Sequence, residues 1–99
     1  MSFGYTFFQD AQEEYEAAII WYAERSIIAA ENFILAFDHV LGLICANPER
    51  WRNEYKEYHE LGLKKYPFTL VYEIDWENNL VTIVSVFHNS RNPLKKYKK

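Results

Sequence analysis

The end of the chain concentrates the side chains best suited to chemistry. In "VTIVSVFHNSRNPLKKYKK", residues 81–99, an apolar strand-like run leads directly into His88 and Arg91. Arginine presents a planar fork that matches phosphate oxygens, and histidine can act as an acid or a base near neutral pH. Tyr97 can stack on an exposed nucleic-acid base. These residue types indicate a site that handles a polyanion.

Each of these residues also has a purely structural interpretation. Arg91 can form a surface salt bridge to a helix glutamate, and His88 can be satisfied by backbone groups at the end of a strand. Tyr97 can belong to a frayed terminus. The sequence alone leaves both interpretations open for all three residues.

The charge of the chain is divided unevenly. The net charge is −3, but residues 1–50 hold eight acids and two arginines, a balance of −6, whereas residues 51–99 hold nine bases and six acids, a balance of +3. The lysines that are candidates for phosphate or target contact are Lys64, Lys65, Lys95 and Lys96. Lysine contacts to phosphate give affinity without chemistry. The positive half favours an anionic partner, although a solvated tail explains the same lysines.

Two helices are predicted after a short strand-like run, "YTFF". Asp10 is expected to cap the first helix, because Glu13 completes the capping-box spacing. The carboxylates of this helix are expected to form a solvated face. Ser26 is a candidate N-cap for a second helix, although one longer helix fits the same residues, and Asn47-Pro48 ends the helical period. Apolar residues recur at helical intervals in both segments: Ala11, Tyr15, Ala18, Ile19 and Tyr22, then Ala30, Phe33, Phe37, Val40, Leu41 and Ile44.

The second half of the chain is rich in β-branched and aromatic residues. This pattern predicts a hairpin of strands 68–75 and 80–87, with Asn78 and Asn79 able to take positive φ in the turn. The segment "EYKEYHELGL", residues 54–63, partly alternates and is a candidate for one further strand. We therefore predict an α+β domain: an N-terminal strand, then an antiparallel helical hairpin packed on one face of a three- to four-stranded antiparallel sheet.

Composition restricts the class of protein. The 99 residues fit a single domain, 1–99, and 49% hydrophobic and 18% aromatic residues exclude a disordered chain. Cys45 is the single cysteine, and we expect it to be an inert core residue in a reducing cytosol. Without a basic N-terminal region or an uninterrupted apolar stretch of about 20 residues, we expect a cytoplasmic protein that contacts no membrane. The sequence has no glycine-rich phosphate loop, cysteine pair or HxxxH spacing, which predicts no metal and no cofactor.

Four segments, in this order, resemble the RelE/ParE superfamily, the toxins of bacterial type II toxin–antitoxin pairs, which includes plasmid stabilisation proteins. They are "AQEEYEAAIIWYAERS", "ANPERW", "LKKYPFTLVYEI" and "VTIVSVFHNSRNP". The most specific pieces are "YPF" before the strand that contains Tyr72, which is similar to the family's Phe-Pro-Tyr turn, and the pattern of His88, Arg91 and Pro93. The resemblance spans nearly the whole chain and implies the same strand, helical hairpin and sheet.

The resemblance implies a cognate antitoxin as partner and one of two activities. RelE-like toxins cleave messenger RNA bound in the ribosome, whereas ParE-like toxins poison DNA gyrase. Attack of a 2′-hydroxyl on the adjacent phosphate needs a base, an acid and cations that stabilise the developing charge. For a RelE-like toxin the resemblance implies Arg91, His88 and Tyr97 as catalytic residues, because the spacing of Arg91 and Tyr97 is similar to the arginine–tyrosine pair of some members.

One departure from the family weakens the case for RNA cleavage. Members often carry an arginine on the strand before the Phe-Pro-Tyr turn. Here the nearest candidates are Lys56 and His59, among three glutamates that would repel RNA. The long helical hairpin is also closer to ParE-like toxins. A third interpretation is a non-toxic member that serves only as a protein-binding module for an antitoxin-like partner. The sequence does not decide between these interpretations.

Overall fold

The structure, a computed structural model, describes residues 2–92 and 96–97. Strand β1 (Gly4–Phe7) leads into helices α1 (Gln9–Ala23) and α2 (Ile27–Ala46), and a short 3-10 turn (Pro48–Arg50) follows. The remaining strands are β2 (Arg52–Tyr55), β3 (Tyr58–Gly62), β4 (Phe68–Asp75) and β5 (Leu80–His88). The predicted α+β class, with its N-terminal strand and helical hairpin, is confirmed.

The two helices begin in different ways. Ser26 caps α2 as predicted, since its Oγ accepts a hydrogen bond from the Ala29 N–H at 3.3 Å, and the two helices are separate. The prediction that Asp10 caps α1 was wrong. Helix α1 begins two residues earlier, after Phe8, whose extended backbone still donates its N–H to the Ile83 carbonyl of β5 at 2.8 Å. Asp10 lies in the first turn, where its charge complements the helix dipole.

The sheet has five strands in the order β1-β5-β4-β3-β2. Strand β1 pairs in parallel with β5, and the other neighbours are antiparallel. The predicted three- to four-stranded antiparallel sheet therefore had one or two strands too few and lacked the parallel edge. The additional strand arises because β2 and β3 turn back on each other around Lys56, which has a φ of 50°. The parallel edge arises because the helical hairpin returns the chain across one face of the sheet.

Both helices pack on one face of the sheet and form the main core. Phe33 and Phe37 of α2 and Tyr72 of β4 are among its largest fully buried side chains. Tyr72 donates its phenolic hydrogen to the Pro48 carbonyl, and burial raises the pKa of its phenol. Cys45 is buried in the same core, as predicted, and burial raises the pKa of its thiol. The thiol is therefore protonated and poorly reactive near neutral pH.

Helix α2 is long and apolar enough to cross a membrane by length and composition alone, although Glu31 and Asp38 interrupt its apolar residues. Its buried face nevertheless belongs to the core, where Phe33, Phe37 and Ile44 are at most 1% exposed. The core helix of a water-soluble domain can have the same length and apolar composition. The packing against the sheet accounts for the apolar composition of this face.

A β-bulge in β5 decides which side chains face the helices near the end of this strand. The pairing with β4 skips Val84, so that Ile83 and Ser85 lie opposite consecutive residues of β4. Beyond the bulge, Val86 packs in the main core, whereas Phe87 lies on the opposite face of the sheet, which we call the outer face. The alternation then places the last residue of β5, a histidine, on the side of the helices.

Candidate functional site

A cleft of about 350 Å³ opens between α1 and the adjoining ends of β4 and β5; we call it the α1 cleft. Its apolar lining comes from both layers: Ala17, Ala18, Trp21, Tyr22, Pro67, Phe68 and Val86. Three polar side chains complete the lining, namely Glu14, His88 and Arg91. The structure therefore brings two of the three predicted catalytic residues, His88 and Arg91, to one mostly apolar cleft.

The wall that α1 contributes follows helical spacing. Ala18 and Trp21 lie four and seven residues after Glu14, which places the three on one side of the helix, and Arg25 follows in the turn after α1. The guanidinium of Arg25 lies 3.4 Å from the centre of the Trp21 ring and donates to the Trp21 carbonyl at 2.7 Å. Trp21 remains 50% exposed. The indole is thus fixed from one side and accessible from the other.

Glu14 joins the two layers at the polar end of the cleft. Its Oε1 accepts hydrogen bonds from the Val86 N–H at 2.9 Å and from the Ser85 hydroxyl at 3.2 Å, and its Oε2 accepts one from Arg91 Nη1 at 3.1 Å. Strand β1 ends opposite Ile83, so beyond that residue β5 has no neighbouring strand on this side. The Glu14 carboxylate supplies the acceptor that a backbone carbonyl of such a strand would provide. The prediction of a solvated carboxylate face was wrong for Glu14, whose side chain is only 13% exposed.

His88 and Arg91 are held by the turn that follows β5. The Arg91 N–H donates to the His88 carbonyl at 3.0 Å, and the Ser90 N–H donates to His88 Nδ1 at 3.2 Å. The rings of His88 and Phe68 meet edge to face, with their centres 5.0 Å apart. The contact of Arg91 with a helix glutamate is the structural interpretation considered above, yet its side chain is 43% exposed at the rim of the cleft.

Tyr97 and Lys96 lie on the outer face, away from the α1 cleft. Tyr97 packs on the outer-face cluster and stacks on Tyr55, with ring centres 4.5 Å apart. Its hydroxyl donates to Glu60 Oε2 at 2.7 Å, and Lys96 Nζ donates to Glu60 Oε1 at 3.0 Å. Glu60 is only 5% exposed. The structure therefore separates Tyr97 from the other two predicted catalytic residues by the thickness of the sheet.

The other predicted contact residues are placed less specifically. Lys64 and Lys65 are exposed in the loop before Pro67, close in sequence to the rim of the cleft. Lys95 lies outside the described residues. Of the two candidates for the family's strand arginine, His59 stacks on Tyr72 on the sheet. Within residues 2–92 and 96–97, no three His, Cys, Asp or Glu side chains are grouped so that they could hold a metal ion.

Sequence reasoning missed three residues of this geometry. Glu14 and Trp21 were not singled out, although their spacing of seven residues places both on one side of α1, beside its core face. Glu60 was counted only as one acid among three that would repel RNA. Its buried contacts with the C-terminal segment depend on tertiary structure and have no local signal in the sequence.

A family model described as the ParE toxin of the type II toxin–antitoxin system, parDE, matches residues 5–93. No curated protein is similar enough in sequence to count as a match.

Solved structures of three toxins or toxin complexes share the fold. The isolated RelE toxin of E. coli has a TM-score of 0.63 and 16% identity, over 94% of this chain and 90% of that one. The chromosomal ParDE system of P. aeruginosa has a TM-score of 0.61 and 16% identity, over 88% of this chain and 96% of that one. The toxin–antitoxin complex RelBE2 of Mycobacterium tuberculosis has a TM-score of 0.56 and 18% identity, over 89% of this chain and 99% of that one. These likenesses confirm the RelE/ParE-like fold.

Proposed function

The chain belongs to the ParE toxin family of type II toxin–antitoxin systems, and from this premise we propose that it is the toxin of such a pair and arrests growth by binding DNA gyrase. The α1 cleft, with Arg91 at its rim, is the surface that contacts the target. In this proposal the chain acts by binding and does not cut nucleic acid.

One observation carries the choice against RNA cleavage, namely the position of Tyr97. A nucleolytic site needs its proton carriers and its phosphate-binding cation around one phosphate, within hydrogen-bonding distance of the reacting atoms. Arg91 and His88 line the α1 cleft, whereas Tyr97 lies on the outer face and donates to Glu60. This separation supports a binding function for Arg91 and His88.

The charges near these residues support the same choice. Arg91 is paired with Glu14, and Lys96 is paired with Glu60, which is almost completely buried. An approaching phosphate would meet a carboxylate beside each of these cations, and like charges at close range cost free energy. A protein surface can place donors and apolar side chains around the same groups without adding negative charge.

We further propose a cognate antitoxin as the neutralising partner and the cytoplasm as the place of action. Two of the similar structures are a ParDE system and a RelBE2 toxin–antitoxin complex. The balance of −6 in residues 1–50 and +3 in residues 51–99 gives an antitoxin a positive end to mask.

Controlled induction in a bacterial host tests this proposal. We expect DNA synthesis, followed by incorporation of labelled thymidine, to stop before protein synthesis does, and primer extension on messenger RNA to show no new cuts. Co-expression of the antitoxin encoded beside the gene restores growth. Arg91→Ala is expected to lose most of the growth arrest. The matched control Arg50→Ala, an exposed arginine stacked on Trp51 that does not line the cleft, keeps it.

Two results would contradict the proposal. Healthy growth at high induction, with soluble and folded protein present, would indicate a non-toxic binding module. New cuts in messenger RNA that appear before DNA synthesis slows would indicate the ribonuclease instead.

A further inference from the structure

We infer that the solvent-facing side of α2 binds a basic, amphipathic helix of a partner protein. Five residues define this surface, which we call the α2 stripe: Ile28, Glu31, Leu35, Asp38 and Gly42. None of the five lines the α1 cleft. The inference therefore concerns a second surface of the molecule and goes beyond the proposed function.

The spacing of the α2 stripe is that of a helix–helix interface. Its five residues follow one another at intervals of three, four, three and four, which keeps them on one side of the helix. All five are exposed, and the side chains of Ile28 and Leu35 are the most exposed of its apolar members, at 67% and 66%. The stripe is roughly 21 Å long at 1.5 Å per residue, which is about four turns of a partner helix.

Helix α2 is more apolar than its packing in this chain requires. It contains an apolar stretch of 18 residues, of which 33% is buried within the chain. Phe33, Phe37 and Ile44 pack in the main core, on the side of α2 that faces the sheet. Ile28 and Leu35 take no part in that core. Because a helix that is apolar all round is usually buried all round, the α2 stripe has the character of an interface.

Gly42 gives independent support for the close approach of a second helix. Glycine inside a helix is destabilising relative to alanine. A Cβ atom at Gly42 would meet nothing within 4 Å, and the φ of this residue is not positive, so neither packing nor backbone conformation in this chain requires glycine. A residue without a side chain lets another backbone come close. The end of the stripe at Gly42 therefore fits a partner helix that approaches α2 closely.

The charges of the α2 stripe select a basic partner. Helix α2 carries Glu31 and Asp38 and has no lysine or arginine. In the part of the chain that the structure describes, neither carboxylate forms an ion pair. Each follows an apolar residue of the stripe by three positions, so apolar and negative side chains alternate along it. A helix on which apolar side chains alternate with lysines or arginines is complementary to this pattern.

The same two carboxylates count against other occupants. A second copy of the stripe would bring four carboxylates into one interface, and like charges at close range cost free energy. A membrane would remove water from Glu31 and Asp38, because both lie on the side of α2 that would enter the hydrocarbon. A basic helix matches the apolar and the charged side chains together.

Peptide titration of the purified, full-length protein at low ionic strength tests this inference. The probe is a blocked, fluorescently labelled, alanine-based peptide of three heptads, with one leucine in each heptad and two adjacent lysines midway between successive leucines. This pattern is the same in both directions along the helix, so either orientation can bind. A second peptide carries glutamines in place of the lysines, and a third carries glutamates.

Fluorescence anisotropy and calorimetry measure the binding of the three peptides. We expect the lysine peptide to bind at least about tenfold more tightly than the glutamine peptide, which corresponds to about 1.4 kcal/mol. The glutamate peptide should bind more weakly than both. Added salt should reduce the preference for lysine, because exposed ion pairs are screened.

Variants of the protein locate the contact. Leu35→Ala is expected to weaken the lysine and glutamine peptides, whereas Trp76→Ala, with a 57% exposed indole outside the stripe, weakens neither. The double variant Glu31→Gln, Asp38→Asn should lose most of the preference for lysine. Glu57→Gln, at an exposed residue in the turn between β2 and β3, should keep it. Charge reversal by Glu31→Lys with Asp38→Lys should make the glutamate peptide bind more tightly than the lysine peptide.

The inference would be overturned if the lysine peptide did not bind at concentrations up to about 1 mM, if the lysine and glutamine peptides bound equally, or if Leu35→Ala and the charge-reversed variant bound as the wild type does. A dimer in sedimentation that Leu35→Ala dissociates, or binding to phosphatidylcholine vesicles that Leu35→Ala abolishes, would identify a different occupant and overturn it as well. Growth arrest decides none of these outcomes, so the inference and the proposed function can fail separately.

Discussion

Phe33→Ala is expected to lower the free energy of unfolding by about 3–5 kcal/mol, the usual cost of truncating a buried phenylalanine. Phe33 is fully buried and links α2 to α1 and β4. Its ring stacks on Tyr22 of α1, with centres 5.0 Å apart, and meets the rings of Tyr66, in the loop before β4, and Phe68, the first residue of β4, with centres 5.5 Å apart. The substitution leaves a cavity between the helical hairpin and the sheet. It also removes support from Tyr22 and Phe68 in the wall of the α1 cleft.

Urea denaturation followed by circular dichroism measures this effect. Leu35→Ala is the matched control, because Leu35 lies on the same helix and is 66% exposed. It should change the free energy of unfolding by no more than about 0.5 kcal/mol. If Phe33→Ala cost as little as the control, the described packing of α2 on the sheet would be wrong.

Glu14→Ala is expected to lower the free energy of unfolding by about 2–4 kcal/mol, although most helix-surface glutamates can be replaced at little cost. The Val86 N–H and the Ser85 hydroxyl would lose their acceptor, and both residues are at most 1% exposed. A buried polar group left without its partner costs about 1–3 kcal/mol. Arg91 would lose its fixed orientation as well, so growth arrest should weaken together with stability.

The control for Glu14 is its exposed neighbour Glu16, which contacts only the Gln12 amide at 3.4 Å among the hydrogen bonds described. Glu16→Ala should change stability by no more than about 0.5 kcal/mol. Amide hydrogen exchange gives a local readout: the Val86 N–H should exchange faster in Glu14→Ala and unchanged in Glu16→Ala. Equal effects of the two substitutions on stability and exchange would contradict the anchoring role of Glu14.

The helices were predictable because their determinants are local. Helix α2 is specified by nearby residues: the hydroxyl of Ser26 caps its start, apolar residues recur along it at helical spacing, and Asn47-Pro48 ends it. The β4–β5 hairpin was predictable for the same reason, and Asn79 takes the positive φ expected of its turn. These elements, together with four short segments in family order, were sufficient to predict the fold class.

The remaining features depend on contacts between distant parts of the chain. A four-residue strand such as β1 carries no information on whether its neighbour will be parallel or antiparallel. The bulge at Val84 is set by pairing with β4 and has no distinctive composition. Glu14 resembles the other glutamates of α1 until β5 is placed against it. Tyr97 is separated from Arg91 because its hydroxyl donates to the buried carboxylate of Glu60. Glu60 lies 31 residues before Arg91 in the chain, so no local pattern predicts this contact.

The central proposal is that this toxin acts by binding gyrase and not by cutting RNA. A paired assay with purified components, which follows plasmid supercoiling and messenger RNA cleavage, tests it most directly. Wild-type protein is added to gyrase with relaxed plasmid, and in parallel to ribosomes translating a defined messenger RNA, with Arg91→Ala as the comparison in both. We predict that the wild type blocks supercoiling and accumulates gyrase-cleaved plasmid, that Arg91→Ala does so far less, and that the messenger RNA stays intact throughout. Messenger RNA cut at discrete sites by the wild type, at least about 10²-fold more slowly by Arg91→Ala, with supercoiling unaffected by either protein, would contradict the claim.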